Sequence, residues 1–300
     1  GYMILVFGTV CLDRIRHVAR IPAFGEYVEV DSEVLMLGGE AANTAAHLAR
    51  WGADLRLLGN SLAEDLEGVL LESLLVERGL GYPTRSVAVK STPVCDVYVT
   101  PDGERTMFGL GFSTMSAPDP AELDTLKGSW FTVDGNFGAV GEAYASRATE
   151  GGMGVYLMDL PPTSTVIGSG TLWHSSTRWY GERGNSAVNE GLVRELVERT
   201  GCTAILSDAG RGLMVGTPEG VRNPPVFERP EVRDSTGAGD TLRAGVLFGL
   251  DRGWRLGKCL SFGSAAASLA AGFVGASEGP TLAAVEAHLA AHPDIVRQYD

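Results

Sequence analysis

Short apolar runs alternate with segments of helical period along almost the whole chain, and this alternation constrains the fold more than any other feature. Residues 3–7 form an apolar run ending at Gly8, the pattern of a strand buried on both faces. Residues 41–51 (AANTAAHLARW) carry helical spacing and stop at Gly52. A strand over 55–58 and an amphipathic helix over 64–78 follow. A β–α order of this kind requires parallel strands joined by right-handed crossovers. Strands are expected again at 130–133, 155–158, 172–173 and 204–206. Helices are expected at 139–150, 186–200, 238–250, 256–273 and 282–291. The pattern predicts an α/β protein, a three-layer α/β/α sandwich with a mostly parallel central sheet. With 300 residues, 44% hydrophobic and 20% charged, residues 1–300 can share one sizeable core as a single domain.

Two stretches break the rhythm. Residues 14–37 alternate apolar and polar positions around Pro22 and Gly25, and residues 94–108 do so around Pro101-Asp102-Gly103. Alternation with a turn signal predicts antiparallel strands. Inserted into a β–α series, they read as a small antiparallel β lid outside the main sheet, spanning about 12–37 and 92–110.

The net charge of −13 argues against a broad nucleic-acid footprint, which needs a basic face. It does not exclude anionic substrates, which a few local amides and cations can hold. Cys11, Cys95, Cys202 and Cys259 form no metal-binding spacing and read as reduced packing residues of a cytoplasmic protein. No apolar run reaches the ~18 residues of a membrane span.

The strongest local signal for chemistry is Asp234-Ser-Thr-Gly-Ala-Gly-Asp240, which feeds directly into a helix. Its glycines permit positive φ and a close backbone approach. Helix N-terminal amides then converge on one spot where an anion is stabilised. A carboxylate at the end of that turn suits phosphoryl transfer: the amides take the charge of the moving phosphate and Asp240 takes the proton of the attacking hydroxyl. The plainer reading is an ordinary N-cap after a Gly-rich turn. A second signal is Gly38-Gly39-Glu-Ala-Ala-Asn43, which places Asn43 in the first turn of a helix after a Gly pair. Its amide can offer both donor and acceptor to a hydroxyl, although Asn is also a common helix-start residue. Asp13 lies just past the first strand, where open α/β sheets bind ligands; an isolated loop acid is the bland alternative.

Taken together and in order, these features resemble the ribokinase-like (phosphofructokinase-B) family over nearly the whole chain. The GG…N stretch with downstream Gly59, Asp65 and Gly68 and the D-[ST]-T-G-A-G-D stretch match its two signatures. GTVCLD (8–13), Asp102-Gly103-Glu104-Arg105-Thr106 and Ser207-Asp-Ala-Gly-Arg-Gly212 resemble three further family motifs. The resemblance implies an ATP-dependent kinase acting on a hydroxymethyl group of a sugar or nucleoside. It implies Asp240 as base, with Gly237, Ala238 and Gly239 as anion-hole amides. Asp13, Gly39, Asn43 and Arg105 would hold the acceptor, and Ser207, Arg211 and Gly212 would line the nucleotide groove. It further implies Mg2+, a monovalent cation such as K+ near Asp234 and Thr236, and a homodimer formed through the lid.

Three departures stand out. Glu40 occupies a position where the family usually has Lys or a neutral residue, which disfavours a phosphorylated or carboxylated acceptor. The mid-chain N-x-x-E motif that organises magnesium is absent from residues 173–185 (WHSSTRWYGERGN), where Glu182 is the candidate substitute. Ala209 replaces the first Gly of the nucleotide motif. The missing N-x-x-E motivates a second expectation, a non-catalytic ligand-binding relative. Other motifs carry less. There is no G-x-x-x-x-G-K-[ST], strand one lacks G-x-G-x-x-G, and His288 with His292 at i, i+4 has no third metal ligand in sequence.

Overall fold

The computed structural model describes residues 3–81, 85–117, 119–233 and 236–300. In chain order, the first half contains β1 (Met3–Gly8), β2 (Cys11–Val18), β3 (Val30–Gly38), α1 (Glu40–Arg50), β4 (Leu55–Gly59), β5 (Leu62–Ala63), α2 (Leu66–Glu77), β6 (Arg85–Ser86), β7 (Val94–Val99) and β8 (Arg105–Leu110). There follow β9 (Gly128–Asp134), α3 (Gly138–Glu150), β10 (Gly154–Met158), β11 (Thr171–Ser176), α4 (Ser186–Thr200), β12 (Thr203–Ser207), β13 (Leu213–Thr217), β14 (Gly220–Arg222), α5 (Ala238–Asp251), α6 (Leu256–Ala270), α7 (Leu282–Ala291) and α8 (Pro293–Arg297).

The main sheet runs β14-β13-β12-β11-β10-β9-β1-β4. Its pairs from β4 to β12 are parallel, and β12–β13 and β13–β14 are antiparallel. The two-residue period of β1 divides its side chains between the faces. Ile4 and Val6 enter a core shared with α1, α5 and α6, while Leu5 and Phe7 enter a second core with α3 and α4. Each such buried side chain contributes on the order of 1.5–3 kcal/mol. Two cores on opposite faces of one sheet make the three expected layers.

Strand order reverses at β1, which has β4 on one side and β9 on the other. The helix α1 then packs on one face and α3, which follows β9, on the other. This divergence opens a crevice at the carboxyl ends of β1 and β9. Asp134 closes its floor by accepting the Thr9 N–H at 3.0 Å.

The lid is a separate four-stranded sheet, β3-β2-β7-β8. Its expected antiparallel character needs correction. The pairs β2–β3 and β7–β8 are antiparallel, but β2–β7 is parallel, so the sheet is mixed. The chain leaves the lid after β3, passes through the main sheet and α2, and re-enters beside β2 in the same direction. Alternation along a sequence identifies a strand without identifying its partner or sense. The sequence pattern also missed the β13–β14 hairpin, whose strands are short and lie at the sheet edge.

Candidate active site

The turn before α5 is shaped for close approach. Gly237 adopts φ 78°, and a Cβ there would lie 2.5 Å from the Ala276 side chain. Glycine is required on both counts. The Thr241 N–H is the first to reach back, bonding the Gly237 carbonyl at 3.0 Å. The amides of Ala238, Gly239 and Asp240 therefore stand at the positive end of a 14-residue helix without intrahelical partners. Asp234 lies outside the described residues.

Asp240 is buried at this mouth. Its Oδ2 accepts the Asn43 Nδ2 at 3.0 Å, and its Oδ1 lies 3.4 Å from Arg243 Nη2. Burial pushes its carboxyl up to about 7, against the pull of the Arg243 charge and the Asn43 bond; Asp159 and Asp134 add to the rise. Arg243 is fully buried beneath the site. It donates to Thr44 Oγ1 at 3.0 Å, Thr132 Oγ1 at 3.3 Å and the Glu40 carbonyl at 2.9 Å. Burial also raises the carboxyls of Glu40, Asp134 and Asp159 above their ordinary range; neighbouring carboxyls add to the rise at Glu40 and Asp159, and Arg243 lowers all three. One guanidinium thus faces four carboxyl groups.

Two cavities flank the mouth of α5. One, of about 290 Å³, lies under the lid and is lined by Thr9, Asp13, Gly39, Glu40, Arg105 and Thr236, with Ile15, Val97, Met107 and Phe112 among its apolar walls. The other, of about 270 Å³, is lined by Ser207, Gly212, Phe227, Ala238, Gly239, Ala267 and Tyr299 among others. Thr236 lines the first and Ala238 and Gly239 the second, so the helix mouth stands between them.

The sequence-derived residues fall into this frame unevenly. Asp13, Gly39 and Arg105 line the lid cavity. Asn43 is buried behind it, holding Asp240 through the bond described above. Gly39, with φ 94°, starts α1, and a side chain there would collide with the Thr9 carbonyl. Ser207 and Gly212 line the second cavity. Arg211 is exposed and lines a small neighbouring pocket with Gly184, Asn189 and Asp208. Glu182 is exposed too, its Oε2 accepting Asn185 Nδ2 at 3.0 Å. Ala209, standing where the motif has Gly, holds φ 48°, a left-handed conformation that costs a Cβ-bearing residue about 1–2 kcal/mol. Among described non-glycine residues it shares a positive φ with Asp159 alone, at 59°.

Sequence reasoning missed Asp134, Asp159 and Arg243. Each carried a readable signal. The two acids close strands β9 and β10 at the carboxyl edge of the sheet. Arg243 is a lone charge in the otherwise apolar stretch TLRAGVLFGL.

The sequence matches the profile of pfkB family carbohydrate kinases over residues 2–127 and 177–282. It is 26% identical to an uncharacterised sugar kinase of Dictyostelium discoideum, over 95% of this chain and 97% of that protein. The fold superposes on the ribokinase of Arabidopsis thaliana solved with ribose and ATP, with a TM-score of 0.81 at 20% identity, covering 96% of this chain and 99% of that one. It also superposes on the nucleoside kinase of Methanocaldococcus jannaschii, with a TM-score of 0.77 at 21% identity, covering 97% and 100%.

Proposed function

The chain belongs to the pfkB family of carbohydrate kinases, and on that premise we propose that it transfers the γ-phosphoryl group of ATP to a hydroxymethyl group of a sugar or nucleoside. The observation that carries this reading is the mouth of α5, standing between two cavities with Asp240 beside it. The lid cavity takes the acceptor, with Asp13, Gly39 and Arg105 around it and Asn43 behind. The second cavity takes the nucleotide. Its apolar walls at Phe227, Ala267 and Tyr299 suit a planar base, and Ser207 and Gly212 line its edge. The Arabidopsis ribokinase was solved with ribose and ATP, which agrees with a two-substrate site on this fold.

In this reading Asn43 and Arg243 hold the Asp240 carboxylate toward the acceptor hydroxyl. Asp240 removes the proton as the oxygen attacks, and the amides of Gly237, Ala238 and Gly239 take up charge on the transferring group. The lid strands β2 and β7 cover the acceptor and keep water from competing for the phosphate.

Magnesium, when bound, neutralises phosphate charge. Among the described residues no three His, Cys, Asp or Glu side chains are grouped to hold a metal ion. An ion carried on nucleotide phosphates needs only one or two protein carboxylates, and no step above runs through it. Thr236 is the described residue of the monovalent-cation pair. Val30, Val34, Leu35, Phe108 and Leu110 are exposed on the lid strands, which supports dimerisation through this sheet. Among the described residues no helix is long and apolar enough to cross a membrane.

A coupled assay of ADP release over sugars and nucleosides, with magnesium and potassium present, tests the reading, with mass detection of the phosphorylated product. Product from at least one acceptor is expected; absence from all of them would overturn it. The outward position of Glu182, the candidate substitute for the missing N-x-x-E, favours the second reading of a non-catalytic binder. Calorimetric ligand binding without any phosphorylated product would establish that alternative.

A further inference from the structure

Glu40 and Asn43 lie three positions apart in the first turn of α1 and so share one face of the helix. The Glu40 Oε2 is shut off from solvent and has no hydrogen-bond partner among the described residues, and the same holds for the Asn43 Oδ1. The orientation of the Asn43 amide is fixed, because its nitrogen must donate to the Asp240 carboxylate. The Asn43 orphan is therefore an acceptor, and Glu40, whose carboxyl burial holds well above its ordinary range, becomes one when a neighbouring cation favours its ionised form. A buried acceptor without a donor costs free energy unless something binds there.

Charge points the same way. Glu40 lines the lid cavity with Asp13, and Arg105 is the one basic side chain among its lining residues. Behind Glu40 stand Asp134, Asp159 and Asp240, with Arg243 opposing them. Arg243 meets Glu40 through the backbone carbonyl and leaves Oε2 unbonded. A hydroxyl brings one donor and no charge. An ammonium brings up to three donors, no acceptor and the missing positive charge.

We propose that the preferred acceptor is an alcohol carrying a protonated amine, an amino sugar or amino polyol, whose nitrogen is read by Glu40 at the cavity wall. This rests on the kinase reading above and narrows its substrate class. Phosphorylated and carboxylated acceptors are excluded by the same carboxylates that hold the amine.

The test compares matched acceptors: hexoses, their amino-deoxy analogues with nitrogen at successive carbons, and the N-acetylated forms, which keep the bulk and lose the charge. At least one amine is expected to exceed both its parent and its N-acetyl form in kcat/KM by ~10²-fold. Glu40→Gln, checked for an unchanged melting profile, should collapse that ratio toward one. Parents or N-acetyl forms matching the amines at every position would overturn the proposal without needing a variant. An equal loss on amine and parent in Glu40→Gln, with a raised magnesium requirement, would also overturn it and assign the carboxylate to the metal. If no acceptor is phosphorylated, the kinase reading falls, and calorimetric titration with the same matched set decides the amine preference by the same ratio.

Discussion

The two cavities that flank the start of α5 are built from opposite kinds of residue. The side proposed for the nucleotide is lined by small and apolar side chains such as Ala238, Leu242, Ala267 and Phe227. The side proposed for the acceptor rests on a buried lattice of Glu40, Asp134, Asp159 and Asp240 around Arg243. A groove of the first kind recognises shape, and a change in it is felt locally. A lattice of the second kind is coupled, because each charge sets the protonation of its neighbours. Substitutions on the acceptor side should therefore spread through chemistry, pH dependence and stability together, whereas those on the nucleotide side should stay in one kinetic constant.

The sharpest way to break this contrast is Asp240→Asn. It should lower turnover by ~10²–10⁴ while nucleotide affinity is retained, read by steady-state kinetics and calorimetric titration. Near-normal turnover would remove Asp240 from the role of base. Arg243→Met comes next. It strands buried carboxylates without their cation and should cost about 3–5 kcal/mol at neutral pH, measured by denaturant unfolding. A loss below about 1 kcal/mol would show that the lattice is not coupled through Arg243.

The pH profile sharpens the same point. Asp240 titrates near 7 when folded against an ordinary value of 3.8, and only its ionised form accepts a proton. Activity should rise about tenfold per pH unit below 7 and level off above it. The stability contribution has the opposite sign. The folded carboxyl keeps a proton that the unfolded chain has lost, so this contribution is present below 3.8 and fades as pH rises through 7. Glu40, Asp134 and Asp159 are raised in the same direction, so the observed midpoint belongs to the group. Asp240→Asn should flatten both curves.

On the nucleotide side, Ala267→Leu adds bulk to the groove wall and should raise the nucleotide KM by about tenfold, with the acceptor KM unmoved. Movement of both constants would mean that the two cavities are not separable. The smallest kinetic effect is expected from Phe108→Glu on the outer lid, which should shift sedimentation toward the monomer. An unchanged dimer would place the interface elsewhere.

Much of this contrast was legible in the residue order, though unequally on its two sides. The helices at 186–200 and 282–291 have the bounds that their periodicity predicts. The Gly-Ala-Gly turn and Asp240 lie where the motif places them, at the start of α5. The acceptor side was read only in part. Asp13 and Asn43 stood out beside their glycines, but Asp134 ends β9 and Asp159 follows β10, and no spacing links them to residue 40 or 243. The parallel pairing of β2 with β7 was hidden for a related reason. Alternation records which face is wet and leaves open which strand lies alongside.

Local order in the chain determined the elements, the layer arrangement and the Gly-Ala-Gly turn before α5, because each depends on periodicity or backbone freedom within about ten residues. Only the tertiary structure decided that Arg243 is buried among four carboxyl groups, that Asn43 grips Asp240, and that Glu40 Oε2 and Asn43 Oδ1 have no hydrogen-bond partner among the described residues. Those facts arise from burial, and burial is a property of what the rest of the chain places around a residue.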